Sequence, residues 1–375
     1  MSQRPTRVRV DLDALSHNLR ALRAHAGVPV MAVVKANAYG HGLVPVALHL
    51  QAQGVEQLGV AFLEEGMALR RAGVTVPILV MGGIFGPQAA QLIAEGLEIT
   101  VSSIDKLRQV EAAAESLGRK ATIHLKIDTG MERIGVHSYH AGPFIEAAVA
   151  SKWCTVKGVY SHLACADDPS SPMTGRQLNK FLEACAHFTR LGAPMPIRHL
   201  ANSGGVLHFP GTCLDMVRPG IALYGVLPDP ASQATVDLRP ALSLVSKVVY
   251  FKVVPAGNPV SYGATWAPGV DTRVVTVPIG YGDGFPRSLS NRGQVLVRGQ
   301  RHAIVGRICM DQFMADIGPQ GTAYNEDAVV LIGRQGDQAI TCEDVALAAG
   351  TIPYEILVGL NERIPREYVG GSASG

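Results

Sequence analysis

The chain has 375 residues, enough for one large domain and a smaller one. Hydrophobic residues make up 47% of it and charged residues 17%, a balance that excludes a disordered chain and is typical of a compact enzyme. The net charge of +2, with acidic and basic residues interspersed, provides no basic stripe for nucleic acid and no polybasic anchor for a membrane, so we expect small molecules or another protein chain as partners.

Through the first two-thirds of the chain, short apolar runs alternate with helical patterns, as in repeated βα units around a parallel sheet. Helical spacing is clearest at 104–118 and 177–192, each ending in glycine. Eight parallel strands within about 230 residues predict an α/β fold with a closed (β/α)8 TIM-like barrel over residues 9–230. The predicted strands are 28–35, 57–62, 76–83, 97–103, 121–127, 155–163, 197–203 and 216–225.

The composition changes after Gly225, where a linker rich in proline and polar residues begins. The runs that follow are β-branched and separated by Gly, Asn and Pro turns, with a helical stretch near Glu343. We therefore predict a mostly antiparallel β domain over residues 231–370, and residues 1–8 are candidates to pack with it. Residues 371–375 are small and polar and predict a disordered tail.

The cysteines and the apolar runs bear on location. The six cysteines have neither a CxxC pair nor metal-ligand spacing, so we expect reduced thiols and no metal site. The N-terminal segment lacks the apolar core of a signal peptide, and no run approaches the roughly 18 apolar residues of a membrane span. These features predict a cytoplasmic protein that does not bind a membrane.

Polar residues follow the ends of several predicted strands, and Lys35 is the first of them. In a barrel the chemistry takes place where strands end and βα loops begin, so these side chains should face one mouth. A surface lysine is the ordinary alternative, but an amine at the end of a buried strand is desolvated and becomes a usable nucleophile. The other strand-end residues are Lys126, Asp128, His162, His199, Asn202, Ser203 and Arg218.

Six segments occur in order across almost the whole chain: VVKANAYGHG, KIDTGMERIG, VRPGIALYG, VSYGATW, IGYGDGFPR and GRICMDQFMADI. Together they resemble the alanine racemase family, whose members are pyridoxal 5'-phosphate (PLP) enzymes with a barrel and a C-terminal β domain. The resemblance implies an isomerase that interconverts L-alanine and D-alanine and supplies D-alanine for peptidoglycan. It also implies that Lys35 anchors PLP and later acts as a base.

Racemisation removes the α-proton from one face of the substrate and returns it on the other, so an acid/base group on each face is the economical arrangement. Lys35 supplies one face, and the resemblance assigns the other to Tyr262. A core or interface aromatic is the alternative for Tyr262. A free phenol titrates at about 10, so a basic Tyr262 needs nearby positive charge or hydrogen-bond donors, for which His162 and Arg218 are candidates.

By the same resemblance, Arg218 lies beside the pyridine nitrogen of PLP and holds it unprotonated, because a guanidinium does not give up its proton. His199 is the expected partner that orients Arg218. The alternative for Arg218 is a solvated strand end. The resemblance also implies a phosphate site formed by Ser203, the amides of Gly220 and Ile221, Tyr39 and Tyr354. Taken alone, the glycine-containing segments could form ordinary turns. The cofactor-binding set is Lys35, Tyr39, His162, Asn202, Ser203, Arg218, Gly220, Ile221 and Tyr354.

For the substrate carboxylate, the resemblance implies Arg133 and the backbone amide of Met310. Lys126 is carbamylated in many relatives, which gives an anion that fixes the arginine. The alternative is an exposed Lys126 together with an Arg133 paired to Glu132 or Asp128. Three further residues are expected to shape the loop beside Met310 or to narrow the entrance, namely Cys309, Asp311 and Tyr281.

Other activities stay open at this point. A barrel-type PLP amino-acid decarboxylase shares the architecture and the lysine, but it is expected to place a carboxylate at the pyridine nitrogen. A racemase of another small amino acid such as serine, and a non-catalytic PLP-binding protein, are further alternatives. By resemblance the protein is a homodimer in which Tyr262 and the Met310 loop of one chain complete the site around Lys35 of the other.

Overall fold

The computed structural model describes residues 4–229 and 235–371. Its strands are β1 (Arg7–Asp11), β2 (Met31–Val33), β3 (Gln57–Val60), β4 (Ile78–Val80), β5 (Glu98–Val101), β6 (Ala121–Asp128), β7 (Val136–His137), β8 (Cys154–Tyr160), β9 (Ile197–His199), β10 (Leu242–Lys247), β11 (Tyr250–Val254), β12 (Thr272–Val277), β13 (Gln294–Val297), β14 (Gln300–Val305), β15 (Phe313–Gly318), β16 (Ala328–Gln335), β17 (Gln338–Ile340) and β18 (Arg366–Val369).

The helical segments are α1 (Leu12–Ala26), α2 (Lys35–Tyr39), α3 (Leu43–Ala52), α4 (Leu63–Arg71), α5 (Gln88–Ala94), α6 (Ile104–Ser116), α7 (Ala141–Val149), α8 (Met173–Arg190), α9 (Ser203–His208), α10 (Cys342–Ala349) and α11 (Pro353–Gly359). Both helices expected from spacing are present as α6 and α8. In α6, Leu107, Val110 and Ala114 form the buried face, and the Ser103 side chain caps the first turn. No helix among the described residues combines the length and apolar character needed to cross a membrane.

The parallel sheet forms the predicted barrel. Its order, β2-β3-β4-β5-β6-β8-β9, follows the chain, and most of its strand residues are buried, as expected for strands covered on both faces. Met216 and Val217 close the ring, because Met216 forms a parallel bridge with His199 and Val217 forms one with Val30. The predicted fold class is therefore confirmed.

The prediction of an eighth strand over residues 216–225 is wrong beyond Val217. Ile221–Tyr224 form a 3-10 turn, and the Ser203 hydroxyl accepts hydrogen bonds from the backbone N–H groups of Gly220 and Ala222. Those amides therefore bond to a side chain and not to a neighbouring strand, and Pro219 before them has no N–H to contribute.

The second sheet is mostly antiparallel, as predicted, with the order β11-β12-β15-β14-β13-β16-β10-β1-β18 and β17 beside β16. Strand β1 lies between β10 and β18, antiparallel to the first and parallel to the second. Its pairing reaches Asp11, so the sheet extends past the predicted boundary at residue 9. The predicted tail at 371–375 falls outside the described residues except for Gly371, and part of the linker does too.

Candidate active site

A cavity of about 530 Å³ opens at the carboxyl ends of the barrel strands. It brings together residues that are far apart in sequence, including every member of the predicted cofactor-binding set. Its lining includes Lys35, Tyr39, Lys126, Arg133, Tyr160, His162, Asn202, Ser203, Arg218, Gly220, Ile221 and Tyr354. The pattern of polar strand ends thus located the cavity, although it did not single out Tyr160.

Lys35 is presented by a left-handed turn directly after β2. Residues 36–39 all have φ between 52° and 55°, a conformation that costs non-glycine residues roughly 1–2 kcal/mol each. Glu65 supports the start of the turn, since its Oε1 accepts the Ala36 N–H at 2.7 Å and its Oε2 accepts the Ala61 N–H at 2.7 Å. Sequence reasoning missed Glu65, which lies in the first turn of α4, where an acidic residue is typical of a helix cap.

Strand β18 holds the end of this turn through two side chains. The Arg366 side chain donates to the Gly40 carbonyl from both Nε and Nη2 at 3.1 Å, and the Tyr368 hydroxyl donates to the His41 carbonyl at 3.1 Å. Gly42 leaves room for this contact, because a Cβ there would lie 1.9 Å from the Tyr368 hydroxyl oxygen. The turn that presents Lys35 is therefore held by a strand of the second sheet.

The cavity is strongly cationic. Lys35, Lys126, Arg133 and Arg218 all line it, and no carboxylate does so in the described part of the chain. Burial lowers the pKa of Lys35, and the charges of Arg133 and Arg218 lower it further, while Glu65 opposes them. This lining is suited to anionic ligands and favours an uncharged, reactive Lys35 amine.

Lys126 is only 4% exposed, and its Nζ lies 4.1 Å from the centre of the Tyr160 ring. Burial holds the pKa of Lys126 well below its usual value, with further lowering by Arg218 and Arg133. The alternative of an exposed Lys126 is therefore wrong. The expected pairing of the Arg133 side chain with Glu132 or Asp128 is wrong too. Asp128 accepts the Arg133 backbone N–H, and Glu132 pairs with His137.

Arg218 is 3% exposed, so the solvated strand end is also wrong. Its guanidinium donates to His199 Nδ1 at 3.1 Å, to the Ser161 carbonyl at 2.7 Å and to the Leu200 carbonyl at 3.2 Å. Burial lowers the pKa of Arg218 to about 10, which leaves it charged at neutral pH. The predicted contact with His199 is present.

His162 lines the cavity, where a positive charge on its ring is disfavoured. Burial holds the pKa of His162 well below its usual value, and the charges of Lys126, Arg218 and Arg133 lower it further. Any positive charge near a catalytic phenol must therefore come from the arginines and lysines of the cavity and not from His162.

One end of the cavity collects hydroxyl groups and backbone N–H groups. Asn202 caps α9 through its Oδ1, which accepts the Gly205 N–H at 3.0 Å, and this places Ser203 beside Gly220. A Cβ at Gly220 would lie 2.3 Å from the Tyr39 hydroxyl oxygen, so only glycine fits here. The rings of Tyr39 and Tyr354 lie 6.1 Å apart.

The remaining predicted residues form a separate, exposed cluster on the β domain and do not line the cavity. Tyr262 is 70% exposed and Met310 is 53% exposed. Cys309, next to Met310, contacts both neighbouring loops. Its carbonyl accepts the Tyr281 N–H at 3.1 Å, and its Sγ lies 3.5 Å from the hydroxyl of Ser261, next to Tyr262. Asp311 pairs with Arg363 at 2.6 Å. Within one chain, Tyr262 and Lys35 therefore belong to different surfaces.

Comparison with known proteins assigns the family. The model of the alanine racemase N-terminal domain matches residues 10–228, and that of the C-terminal domain matches residues 241–368. This chain belongs to the alanine racemase family. It is 43% identical to the alanine racemase of Symbiobacterium thermophilum over 371 residues, which cover 99% of this chain and 98% of that protein.

Solved alanine racemases share the whole fold. The structure from Streptomyces lavendulae superposes with a TM-score of 0.94 at 41% identity and covers 99% of this chain and 98% of that one. The structure from Bartonella henselae, which has covalently bound pyridoxal phosphate, has a TM-score of 0.89 at 30% identity and covers 97% of this chain and 99% of that one.

PLP is the cofactor of alanine racemases, and the cavity fits it. The end that collects the hydroxyls of Ser203, Tyr39 and Tyr354 offers hydrogen-bond donors and no carboxylate, as a phosphate requires. A lysine amine of lowered pKa lies in the same cavity, and Arg218, which also lines it, is held in place by hydrogen bonds to His199 and Ser161.

Proposed function

We propose that this chain racemises alanine by a two-base mechanism, with Lys35 and Tyr262 as the proton-transferring groups. When bound, PLP draws electrons from an attached amino acid and so acidifies its α-carbon proton. The observation that carries the proposal is the cavity that places the Lys35 amine, whose pKa is lowered by burial, together with Arg133 and Arg218. A racemase is favoured over a decarboxylase because Arg218, the residue that we assign to the pyridine nitrogen, is a buried arginine, whereas a decarboxylase is expected to use a carboxylate there.

We assign a separate role to each residue that contacts the substrate or the cofactor. Lys35 Nζ anchors the cofactor and, once released, holds or returns a proton on one face of the α-carbon. Arg133 and the Met310 amide bind the substrate carboxylate and orient the α-proton. Arg218 donates a hydrogen bond to the pyridine nitrogen and keeps its own proton, which limits charge delocalisation and disfavours side reactions.

Two groups of residues complete this assignment. Ser203, Asn202, Gly220, Ile221, Tyr39, Tyr354 and His162 hold the cofactor. Lys126, carbamylated, supplies an anion that fixes Arg133, while His199, Tyr281, Cys309 and Asp311 support the residues that contact the ligands. The product D-alanine serves peptidoglycan synthesis, and the free thiols of all six cysteines are consistent with a cytoplasmic location.

The activity test is a chiral assay of purified protein with PLP and L-alanine. We expect D-alanine to accumulate until both enantiomers are equal in concentration, and the same end point from D-alanine. The Arg133→Leu variant, which keeps the cofactor-holding residues, serves as the control and should retain cofactor absorption while losing turnover. Release of carbon dioxide and ethylamine in place of D-alanine would contradict the racemase.

We further propose a homodimer in which Tyr262 and Met310 of one chain reach the Lys35 cavity of the partner. The support is the exposure of Tyr262 and Met310 on a surface that does not line their own chain's cavity. A two-fold arrangement then creates two identical composite sites.

Subunit exchange tests the shared site. Lys35→Ala and Tyr262→Phe proteins, each inactive alone, are mixed and allowed to exchange subunits. Random pairing makes about half of the dimers mixed, and each of these has one intact site, so roughly a quarter of wild-type activity should return. The control replaces the Tyr262→Phe partner with a double variant that carries both changes, and it stays inactive. No recovery after demonstrated exchange excludes the shared site but leaves the racemase assignment intact.

A further inference from the structure

A chain of buried polar side chains crosses the barrel interior and ends at Arg218. Arg218 Nη1 lies 3.1 Å from His199 Nδ1, His199 Nε2 lies 2.9 Å from His124 Nδ1, and His124 Nε2 lies 2.8 Å from Glu98 Oε2. Glu98 is the first residue of β5, at the amino end of the barrel, whereas the cavity lies at the carboxyl ends. The chain therefore connects the floor of the barrel with the cavity through residues that do not line it.

The two end residues of this hydrogen-bonded series, Arg218 and Glu98, determine the direction of every hydrogen bond within it. Arg218 can only donate, so His199 Nδ1 must accept, and the proton of a neutral His199 lies on Nε2. That N–H donates to His124 Nδ1, and the proton of a neutral His124 then lies on Nε2, facing the Glu98 carboxylate. One arrangement satisfies all three contacts, and Glu98 is its terminal acceptor.

A charged His124 is incompatible with this arrangement. It would donate from Nδ1 to His199 Nε2, which would move the His199 proton to Nδ1 and set it against the Arg218 N–H. Burial lowers the pKa of His199 well below its usual value, and burial also lowers the pKa of His124 despite the opposing effect of Glu98. Two neutral rings therefore agree with both the geometry and the electrostatics.

Glu98 is held ionised at the barrel floor. Its Oε1 pairs with Lys157, and its Oε2 accepts a hydrogen bond from Gln57 at 2.6 Å. Burial raises the pKa of Glu98, but the interactions with His124 and Lys157 lower it more, so the net shift is downward. The terminal acceptor is thus a carboxylate with a fixed orientation.

Packing fixes the planes of the two rings. The His199 ring stacks on Tyr160 at a centroid distance of 4.7 Å and an interplanar angle of 7°. His124 occupies space that Gly158 leaves free, since a Cβ at Gly158 would lie 2.2 Å from His124 Nδ1. Both rings are therefore packed closely against residues of the neighbouring strand β8.

We propose that Glu98 and His124 are positioning residues, which hold His199 in the tautomer that accepts a hydrogen bond from Arg218 and so fix the guanidinium against the cofactor ring. The ligand class is a planar heteroaromatic ring whose nitrogen accepts a hydrogen bond. The cofactor side of this statement rests on the proposed function, whereas the tautomers do not.

The first experiment measures the tautomers directly. Protein labelled with ¹⁵N-histidine and freed of cofactor is examined by NMR, because a protonated ring nitrogen and a bare one have separate ¹⁵N shifts. The His124→Asn and His199→Asn variants assign the signals. We expect both rings to be neutral with the proton on Nε2, and a proton on Nδ1 of either ring overturns the proposal. This result is independent of whether the protein racemises alanine.

The second experiment measures the consequence for turnover. Glu98→Leu removes the terminal acceptor, and we expect kcat to fall about tenfold to a hundredfold, the range for losing a hydrogen bond that involves a charged group, with KM for alanine changing less than about threefold. Gln57→Leu is the matched control, because it removes another buried hydrogen bond to Glu98 but leaves the chain to Arg218 intact. Equal losses in the two variants overturn the proposal.

A pair of variants at His124 guards against misfolding of Glu98→Leu. The amide oxygen of His124→Asn lies near the position of Nδ1 and can accept from His199, whereas His124→Phe offers no acceptor. We expect His124→Asn to retain at least about ten times the kcat of His124→Phe, at melting temperatures matched within the pair. Equal kcat values in two folded proteins overturn the proposal.

Discussion

Replacing Arg366 by alanine tests how the left-handed turn after Lys35 is held. Besides Gly40, the Arg366 side chain donates to the carbonyls of Leu360, Asn361 and Ile364, so one side chain serves four acceptors. Three of these acceptors, Gly40, Leu360 and Ile364, take a partly buried hydrogen bond. Loss of such a bond costs about 1 kcal/mol, so Arg366→Ala should lower the free energy of unfolding by about 3 kcal/mol.

The Arg366→Ala change should also weaken the left-handed turn at residues 36–39. Residues 36–39 are in a conformation that costs non-glycine residues free energy, and without Arg366 the Gly40 carbonyl loses a donor that helps to hold it. We therefore expect PLP to dissociate more readily from Arg366→Ala, in addition to the loss of stability.

Urea denaturation of the cofactor-free protein, at one fixed protein concentration, measures the change. The matched control is Arg9→Ala on the neighbouring strand, because Arg9 is exposed and pairs with Glu367 at 3.4 Å, a contact worth about 0–1 kcal/mol. If Arg366→Ala destabilises the protein no more than Arg9→Ala, the reasoning about the turn is refuted.

Three further outcomes follow from the lysines of the cavity. Lys35→Ala should abolish the visible absorption of bound PLP and racemisation together, while the exposed Lys152→Ala should leave both unchanged, and a spectrum of attached cofactor in Lys35→Ala would refute the anchor. Because burial lowers the pKa of Lys35, the rate at which cofactor-free protein attaches PLP should rise with pH and level off below the usual pKa of lysine; a midpoint at or above that usual value would contradict this. Because Lys126 is buried among cations, it should bind carbon dioxide as a carbamate, so Lys126→Ala should lose activity that small carboxylates partly restore, and a plain ammonium in a high-resolution map would exclude the modification.

The barrel could be predicted from sequence because its strands are short apolar runs that end in polar residues. That regularity placed Lys35, His162, Ser203 and Arg218 at one mouth, where the cavity lies. It failed for residues 216–225, whose apolar side chains resemble a strand although the amides of Gly220 and Ala222 bond to Ser203. A pattern of side chains carries no information on where each backbone N–H finds its acceptor.

The polar chain in the barrel interior could not be predicted for a different reason. Glu98 and His124 stand inside runs that predict strands, and a period of two does not distinguish a residue facing the barrel axis from one facing the helices. Their partners are 26 and 75 positions away in sequence, so only the closed barrel brings them together. Glu65 was missed because the Ala36 N–H that its Oε1 accepts lies 29 positions away in sequence.

The placement of β1 between β10 and β18 makes the barrel an insertion within the β domain. During synthesis β1 emerges before the barrel, whereas β10, β16 and β18 emerge after it. The nascent chain can therefore fold its barrel around the parallel strands while β1 still has two unpaired edges, and an unpaired strand edge is a site of association with other chains. Val8 and Val10 are fully buried in the finished sheet, so both are exposed for as long as the ribosome is occupied with the segments between. A chain released before β18 would keep one of those edges open, so the strand made first is the one whose folding is completed last.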